Sequence, residues 1–297
     1  MLVYQRMLSF FIALSACLSG LFGITYTDTF ESDSFPLIAV DEQAEDTVRI
    51  CSFNIRNTDV NGTGMEHRVL IALQQIAEIA PDSMGVQEAT TLWMPALRSL
   101  AGYNVVGKCR EGVPIGEFNP IVYNAVKYHL VDAGTFWLSE TPQTPSVGWD
   151  AAYRRICTWA VLKNRKTGTC YAHINSHFDN QGKTAQAEEA KMIVAFAKEH
   201  FGNLPVVFTA DLNSRPGAQA YQILTSYLTD ARIAAPDRVG FGTFHNVQPQ
   251  THAQDIIDYV MTAGGAEPAV YRTVTTGVSG RFVSDHFPIY ADIRLPG

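Results

Sequence analysis

Five short apolar stretches in this chain each close on residues that can bind a cation or a phosphate. They are Ser52-Phe53-Asn54-Ile55-Arg56, Gln87-Glu88, Asn175-Ser176-His177-Phe178-Asp179, Ala210-Asp211-Leu212-Asn213, and Ile257-Asp258-Tyr259 with the later Ser284-Asp285-His286. Apolar runs of this length read as buried strands, and the polar residue at the end of such a run is delivered to a loop at the sheet edge. The pattern constrains the chain to a sheet-rich fold whose chemistry gathers along one edge.

The intervening periodicities agree. Residues 48–55 alternate and are rich in strand formers, whereas Val69, Leu70, Leu73, Ile76, Ala77 and Ala80 recur at helical spacing until Pro81 stops them. Strands are expected over 83–87, 120–123, 156–162 and 170–176. The last two are joined by a polar hairpin loop, 163–168, that ends in glycine. A helix is expected over 183–200, a buried strand over 204–209, and a short helix over 218–225 after the Arg215-Pro216-Gly217 turn. Strands at 257–261, 271–275 and 287–293 complete the chain. Strands mixed with helices and hairpins favour an α/β sandwich of two packed sheets with helices outside.

The terminal residues suit one kind of chemistry. Cleaving a phosphate ester near neutral pH needs a hard cation on oxygen ligands, a group that activates water, and donors for the charge that develops on the phosphoryl oxygens. Asn54, Glu88 and Asp285 suit the first task. Asp211 and Asn213 suit the second, because alternate residues of an extended segment share a face. His177 and His286 suit the third.

In order and flanking residues these motifs resemble the endonuclease/exonuclease/phosphatase superfamily, the DNase I-like fold, from about residue 49 to 295. The stretches Gly134-Thr135-Phe136-Trp137-Leu138-Ser139-Glu140-Thr141-Pro142 and Arg155-Ile156-Cys157-Thr158-Trp159-Ala160 look like its secreted bacterial-type and deadenylase-like branch. The resemblance implies a four-layer sandwich, two mixed β-sheets flanked by helices, and a phosphoesterase dependent on Mg2+, with Mn2+ as the alternative. It implies that Glu88 binds the metal with Asn54 and Asp285 nearby, and that Asp211 orients or deprotonates the attacking water. Asn213 then positions nucleophile and phosphate. His286 contacts the scissile phosphate with its tautomer fixed by Asp258, and His177 is the second phosphate histidine, oriented by Glu117. The basic residue that the family often places before its Ile-Asp-Tyr motif is here Ile256, preceded by Asp255.

Plainer readings stand beside these. Taken singly, Asn54 and Asn213 are as well explained as turn residues bonding their own backbone, and only the joint pattern favours chemistry. His177 alone reads as a core histidine, as does His173, for which a solvent-facing position is the alternative. His129, His200, His245 and His252 sit in no motif. Asp82 reads as a turn residue. Arg56, Arg68 and Arg110 are phosphate candidates against a background of solvated surface arginines, and Arg110, close to the Gly112 and Gly116 loop, is the one retained as a substrate-phosphate ligand. Trp149 and Tyr153 can stack on a base or sugar or simply anchor a loop.

The ends of the chain differ from its body. Residues 7–24 form an almost uncharged apolar run after Arg6, which reads as a secretory signal within 1–25. A retained signal anchor is the alternative, and lipidation at Cys17 is the third reading. The protein is then expected to be secreted or extracytoplasmic, or else membrane-anchored. Residues 26–46 turn acidic and read as a linker before a single catalytic domain, 47–297. The arm holds seven of the 29 acidic residues and the leader one of the 22 basic ones, so the domain keeps 22 acidic against 21 basic and is nearly neutral. Neutrality weakens a nuclease reading, since tight sequence-independent binding of nucleic acid draws on several lysine or arginine contacts to phosphate. Past the leader, Cys51, Cys109, Cys157 and Cys170 are as natural as buried thiols as they are as disulfides. Asn61-Gly62-Thr63 is a glycosylation sequon in a eukaryotic host.

Two classes of function follow. One is a hydrolase of phosphodiesters or phosphomonoesters whose partner is a phosphate-ester substrate, either nucleic acid or a small or lipid phosphate. The other is an idle relative that uses the sandwich for binding. The intact polar set favours the hydrolase. No protein partner is expected.

Overall fold

The computed structural model describes residues 37–58, 65–247, 255–278 and 282–296. The leader, Cys17, the first part of the acidic arm, the Asn61 sequon and His252 lie outside the described residues.

In chain order the strands are β1 Val48–Asn54, β2 Ser83–Gln87, β3 Ala89–Thr90, β4 Tyr103–Val106, β5 Glu117–Phe118, β6 Ile121–Asn124, β7 Tyr128–Trp137 and β8 Ile156–Asn164. They continue as β9 Cys170–His177, β10 Val206–Asp211, β11 Thr229–Asp230, β12 Asp237–Val239, β13 Asp258–Ala263, β14 Glu267–Thr273 and β15 Ile289–Arg294. A seven-stranded sheet has the order β12-β14-β15-β1-β2-β6-β4, and a six-stranded sheet has β11-β13-β10-β9-β8-β7. Both are mixed: β1 pairs parallel with β2 and antiparallel with β15, while β10 pairs parallel with β9 and antiparallel with β13. The sheets pack face to face, β1 over β10 and β13, β2 over β9.

This stacking explains why the central strands read as continuous apolar runs. Val207 and Val260 meet Ile50, Ile289 and Ile293 between the sheets. On the far face of the six-stranded sheet, Val206, Phe208 and Ala210 meet Ala190, Ile193 and Ala197 of the helix Lys183–Phe201. Cys51, Phe53, Met84 and Val86 pack instead on Ala72, Ile76 and Ile79 of the helix Met65–Ile79. Helix, sheet, sheet, helix is the expected four-layer DNase I-like architecture. Both strand faces being buried leaves no polar alternation to read.

The inter-sheet layer is not wholly apolar. His173 lies between Ser83 Oγ (2.8 Å) and Thr209 Oγ1 (2.9 Å), and Gln87 Nε2 donates to Asn175 Oδ1 at 2.8 Å. His173 is therefore the satisfied core histidine, with burial pushing its pKa down to about 3. Gly85 is required here, since a Cβ would collide with Thr209 and Asn175 of the facing sheet. Asp82 is likewise structural, accepting from Arg49 N (2.9 Å) and pairing with Lys127 Nζ (2.8 Å).

Three expectations need correction. The stretch up to residue 46 does not behave as a linker along its whole length: Thr275 N donates to Ile38 O, Asp41 pairs with Arg272 (2.7 Å), and Ala44 N donates to Asp292. Among the described residues, contacts with the domain thus include Ile38, Asp41 and Ala44, all before 47. Second, β4 and β7 were not expected. In β7 a register shift between Leu130 and Asp132 breaks the alternation, and Gly134 leaves room for the Trp159 ring. Third, Arg68 is fully buried and donates to the carbonyls of Ile55 (2.5 Å), Arg56 (3.0 Å) and Val283 (2.7 Å), which removes it from the phosphate candidates. The four cysteines past the leader are free thiols.

Candidate active site

Strand ends do converge on one edge. At three of these exits the backbone turns left-handed on a non-glycine residue: Arg56 (φ 56°) after β1, Glu88 (φ 60°) after β2 and Asn213 (φ 47°) after β10. Such conformations are disfavoured for residues with a Cβ, and they persist where the surrounding structure over-determines them. They turn each side chain out of its strand register and into a common cavity.

Asp211, 1% exposed, is the hub. Its carboxylate accepts from Asn54 Nδ2 (2.9 Å) and from Asn213 N (2.8 Å). His177 Nε2 stands 3.5 Å and His286 Nε2 3.8 Å from the same Oδ2. Burial, then the charge of Asp258, raises its pKa to about 7. Asp258 Oδ2 lies 2.9 Å from His286 Nδ1. Burial opposes a charge on His286, but Asp258, Asp211 and Asp285 together outweigh it and push the imidazole up to about 10. At neutral pH both its nitrogens therefore carry protons, one directed at Asp258 and the other toward Asp211.

His177 is the opposite case. Burial first, then the positive charges of Arg155, Arg110 and His286, hold it well below the usual imidazole range, so it is neutral. Asn213 Nδ2 donates to its Nε2 (2.9 Å) and to Phe178 O (2.9 Å), which leaves the ring proton on Nδ1. Glu117 was expected to orient His177, yet that nitrogen is 3.8 Å from Glu117 Oε1, beyond hydrogen-bond range. Glu117 is instead held by Arg110 Nη1 (2.6 Å) and Asn57 Nδ2 (3.0 Å).

Of the three residues expected at a metal, Glu88 and Asp285 line a cavity of about 330 Å3, and Asn54 does not. The Asn54 amide oxygen accepts from Arg56 N (2.9 Å) while its nitrogen donates to Glu88 (3.2 Å) and Asp211. Turning the amide over would set its oxygen against two carboxylates, so in this structure Asn54 bridges two carboxylates rather than offering a ligand atom. Asp285 is ion-paired with Arg56. Donor atoms of Asp211, Asp258 and His286 also fall within 4.8 Å of one another, close enough to share a cation were His286 to lose its proton.

Arg56, Asn57, Thr58, Glu88 and Asp285 line the cavity together with Arg110, Glu117, Tyr153, Arg155 and Asn180, and with His177 and Asn213. Arg110, expected as a phosphate ligand, lines the cavity. Asn57, Thr58 and Asn180 carried no sequence signal, and Arg155 was visible only as the start of a strand motif; it is buried with its guanidinium held by Asp179 (3.4 Å) and Asn180 (3.4 Å).

The chain belongs to the Endonuclease/Exonuclease/phosphatase family, whose model matches residues 51–286. Its members are phosphoesterases, generally dependent on a divalent metal. Among solved structures it is similar to the Bacteroides thetaiotaomicron mannosyl-6-phosphatase Bt3783, at 31% identity over 83% of this chain and 99% of that one, with a TM-score of 0.77. It is also similar to a family protein from Bacteroides vulgatus, at 31% identity over 84% and 99%, TM-score 0.80. The human Nocturnin catalytic domain shares the fold at 14% identity over 84% and 94%, TM-score 0.68. The comparison with curated proteins gave no match.

Proposed function

We propose that the chain is a divalent-metal-dependent phosphomonoesterase acting on small phosphate esters, sugar phosphates foremost. One observation carries this reading: Arg56, Arg110 and Arg155 in the cavity wall are balanced by Glu88, Glu117 and Asp285, and His177 is neutral. A balanced wall with a divalent cation added carries two positive charges, the complement of a phosphomonoester dianion and twice that of a diester. The similarity to a mannosyl-6-phosphatase supports the same choice, and the near-neutral domain gives little to hold a nucleic acid.

The donor set fits Mg2+ or Mn2+, since Glu88 and Asp285 present hard carboxylate oxygens to an open polar cavity with no thiol among its described lining residues. These two would hold the ion, with Asn54 fixing Glu88. When bound, the ion supplies Lewis-acid polarisation of a phosphoryl oxygen. Asp211, with its pKa near the working pH, takes the proton of the attacking water, and Asn213 fixes that water's approach. His286, kept charged by Asp258, donates from Nε2 to the charge that grows on the phosphoryl oxygens. Asn213 locks His177 beside it. Arg110 binds a remaining phosphate oxygen.

Export belongs to the same proposal and rests on the apolar run at 7–24; a retained anchor would hold the enzyme at a membrane face. The test is hydrolysis by the full chain, with Mg2+ or after chelation, of hexose phosphates, inositol phosphates, sphingomyelin, DNA and RNA, with Asp211→Asn as the blank. Metal-dependent release of phosphate from the monoesters, lost in Asp211→Asn, is the expected result. Preferential cleavage of DNA or RNA would replace it with a nuclease, and silence from folded protein would favour a binding module.

A further inference from the structure

We infer that one wall of the cavity, formed by segments 152–155 and 179–182, is a prebuilt subsite for a hydroxylated leaving group, read by Tyr153, Asn180 and Arg155; this rests on the phosphomonoesterase reading. The wall is assembled by one side chain that performs no chemistry. Asp179, completely buried, accepts from the backbone N–H of Ala152 (3.0 Å), Tyr153 (3.2 Å), Gln181 (2.9 Å) and Gly182 (2.8 Å), and from Arg155 Nε (3.4 Å). A single carboxylate thus ties together two loops far apart in sequence. The Asp179 N–H in turn donates to buried Glu189 Oε2 (3.0 Å), which fixes the assembly to the helix behind it.

What this frame presents to the cavity is specific. Tyr153 is 47% exposed although its backbone is bound, and the guanidinium carbons of Arg110 and Arg155 stand 5.3 and 5.5 Å from its ring centroid. Asn180 lies three residues beyond His177, in the loop that leaves β9, and lines the same cavity as His177 and Asn213, which places it beside the group esterified to a phosphate held there. One rigid aromatic ring beside amide and guanidinium donors suits the C–H face and hydroxyls of a sugar. A stacked base would gain from a second large ring and an acyl chain from apolar lining; among the described lining residues the only other ring is the His177 imidazole, and none is aliphatic. Its volume, about 330 Å3, sits at the low end of the roughly 300–1,000 Å3 of small-molecule sites.

The experiment measures kcat and KM of the Mg2+-loaded full chain for mannose 6-phosphate and for methyl phosphate, which keeps the phosphate and discards the sugar. In Tyr153→Ala the preference for the hexose phosphate, as a ratio of kcat/KM values, is expected to fall about tenfold or more, mainly through KM. Asn180→Ala is expected to lose about two- to tenfold, and Tyr153→Phe, which keeps the ring, to retain most of the preference. Both positions are exposed, so the variants should fold, as circular dichroism will show. A ratio that is unchanged in the variants, or equal losses on both substrates, overturns the inference while leaving the phosphomonoesterase intact. Absence of wild-type turnover on either substrate removes that reading and the inference with it.

Discussion

Replacing Asp258 by asparagine changes one charge at nearly constant volume and isolates what holds His286 protonated. At 2.9 Å and an effective dielectric of about 20, a unit charge is worth about 5–6 kcal/mol to the imidazolium, or about four pH units. In the native protein, where His286 titrates at about 10 and Asp211 at about 7, kcat/KM should describe a bell with limbs near those two values. In Asp258→Asn burial acts against the charge with its chief opponent gone, so the alkaline limb should fall by about four units, to about 6, and activity at pH 8 should drop on the order of a hundredfold. Asp211 loses a repelling neighbour as well, so its limb should move to lower pH. The assay is the pH profile of kcat/KM on a monoester at saturating Mg2+. An alkaline limb that stays near 10, or a loss of equal size at every pH, would refute the assignment of His286 as a charged donor sustained by Asp258.

Other consequences can be checked directly. Burial raises Glu189 to about 8, above its ordinary 4.5, so its proton is bound more tightly in the folded state and stability should fall as pH rises from about 4.5 to 8. Glu189→Gln should remove this dependence, gaining up to about 4 kcal/mol relative to wild type between pH 5 and 8 in urea melts; a pH-independent difference would contradict it. Arg68→Met should cost on the order of 3 kcal/mol and most of the activity, because the carbonyls of Ile55, Arg56 and Val283 lose their common donor; a variant with native melting temperature and kcat would disprove the role. Mg2+ should raise the thermal midpoint of wild type but not of Glu88→Gln, as read by calorimetry, and equal shifts in both would move the ion away from Glu88.

The layers and most of the residues gathered at the candidate site were legible because both are written locally. A buried strand ending in Glu88 or Asp211 shows its run and its terminus together, and Pro81 marks a helix end without help from the rest of the chain. Legibility failed where the deciding contact was distant. Nothing near Glu117 reveals that Arg110 and Asn57 hold it at a distance from His177, and Arg155 acquires its place only through Asp179. Asn54 shows the same limit in another form: its identity suits a ligand, but the neighbouring N–H of Arg56 fixes which of its atoms faces the carboxylates. The strand β7 was missed because a bulge and a glycine interrupt the alternation on which recognition depends.

The left-handed exits at Arg56, Glu88 and Asn213 bear on how such an enzyme responds to selection. At a backbone position of this kind glycine and asparagine are the residues under least strain, and any other L residue gives up on the order of 1 kcal/mol. Asn213 already meets both demands, whereas Glu88 and Arg56 hold side chains that the backbone disfavours. A library sorted only for heat resistance should therefore accumulate glycine or asparagine at 56 and 88 and lose turnover as it does so. The same library sorted for phosphate release should keep both residues and find its gains in stability elsewhere in the sandwich.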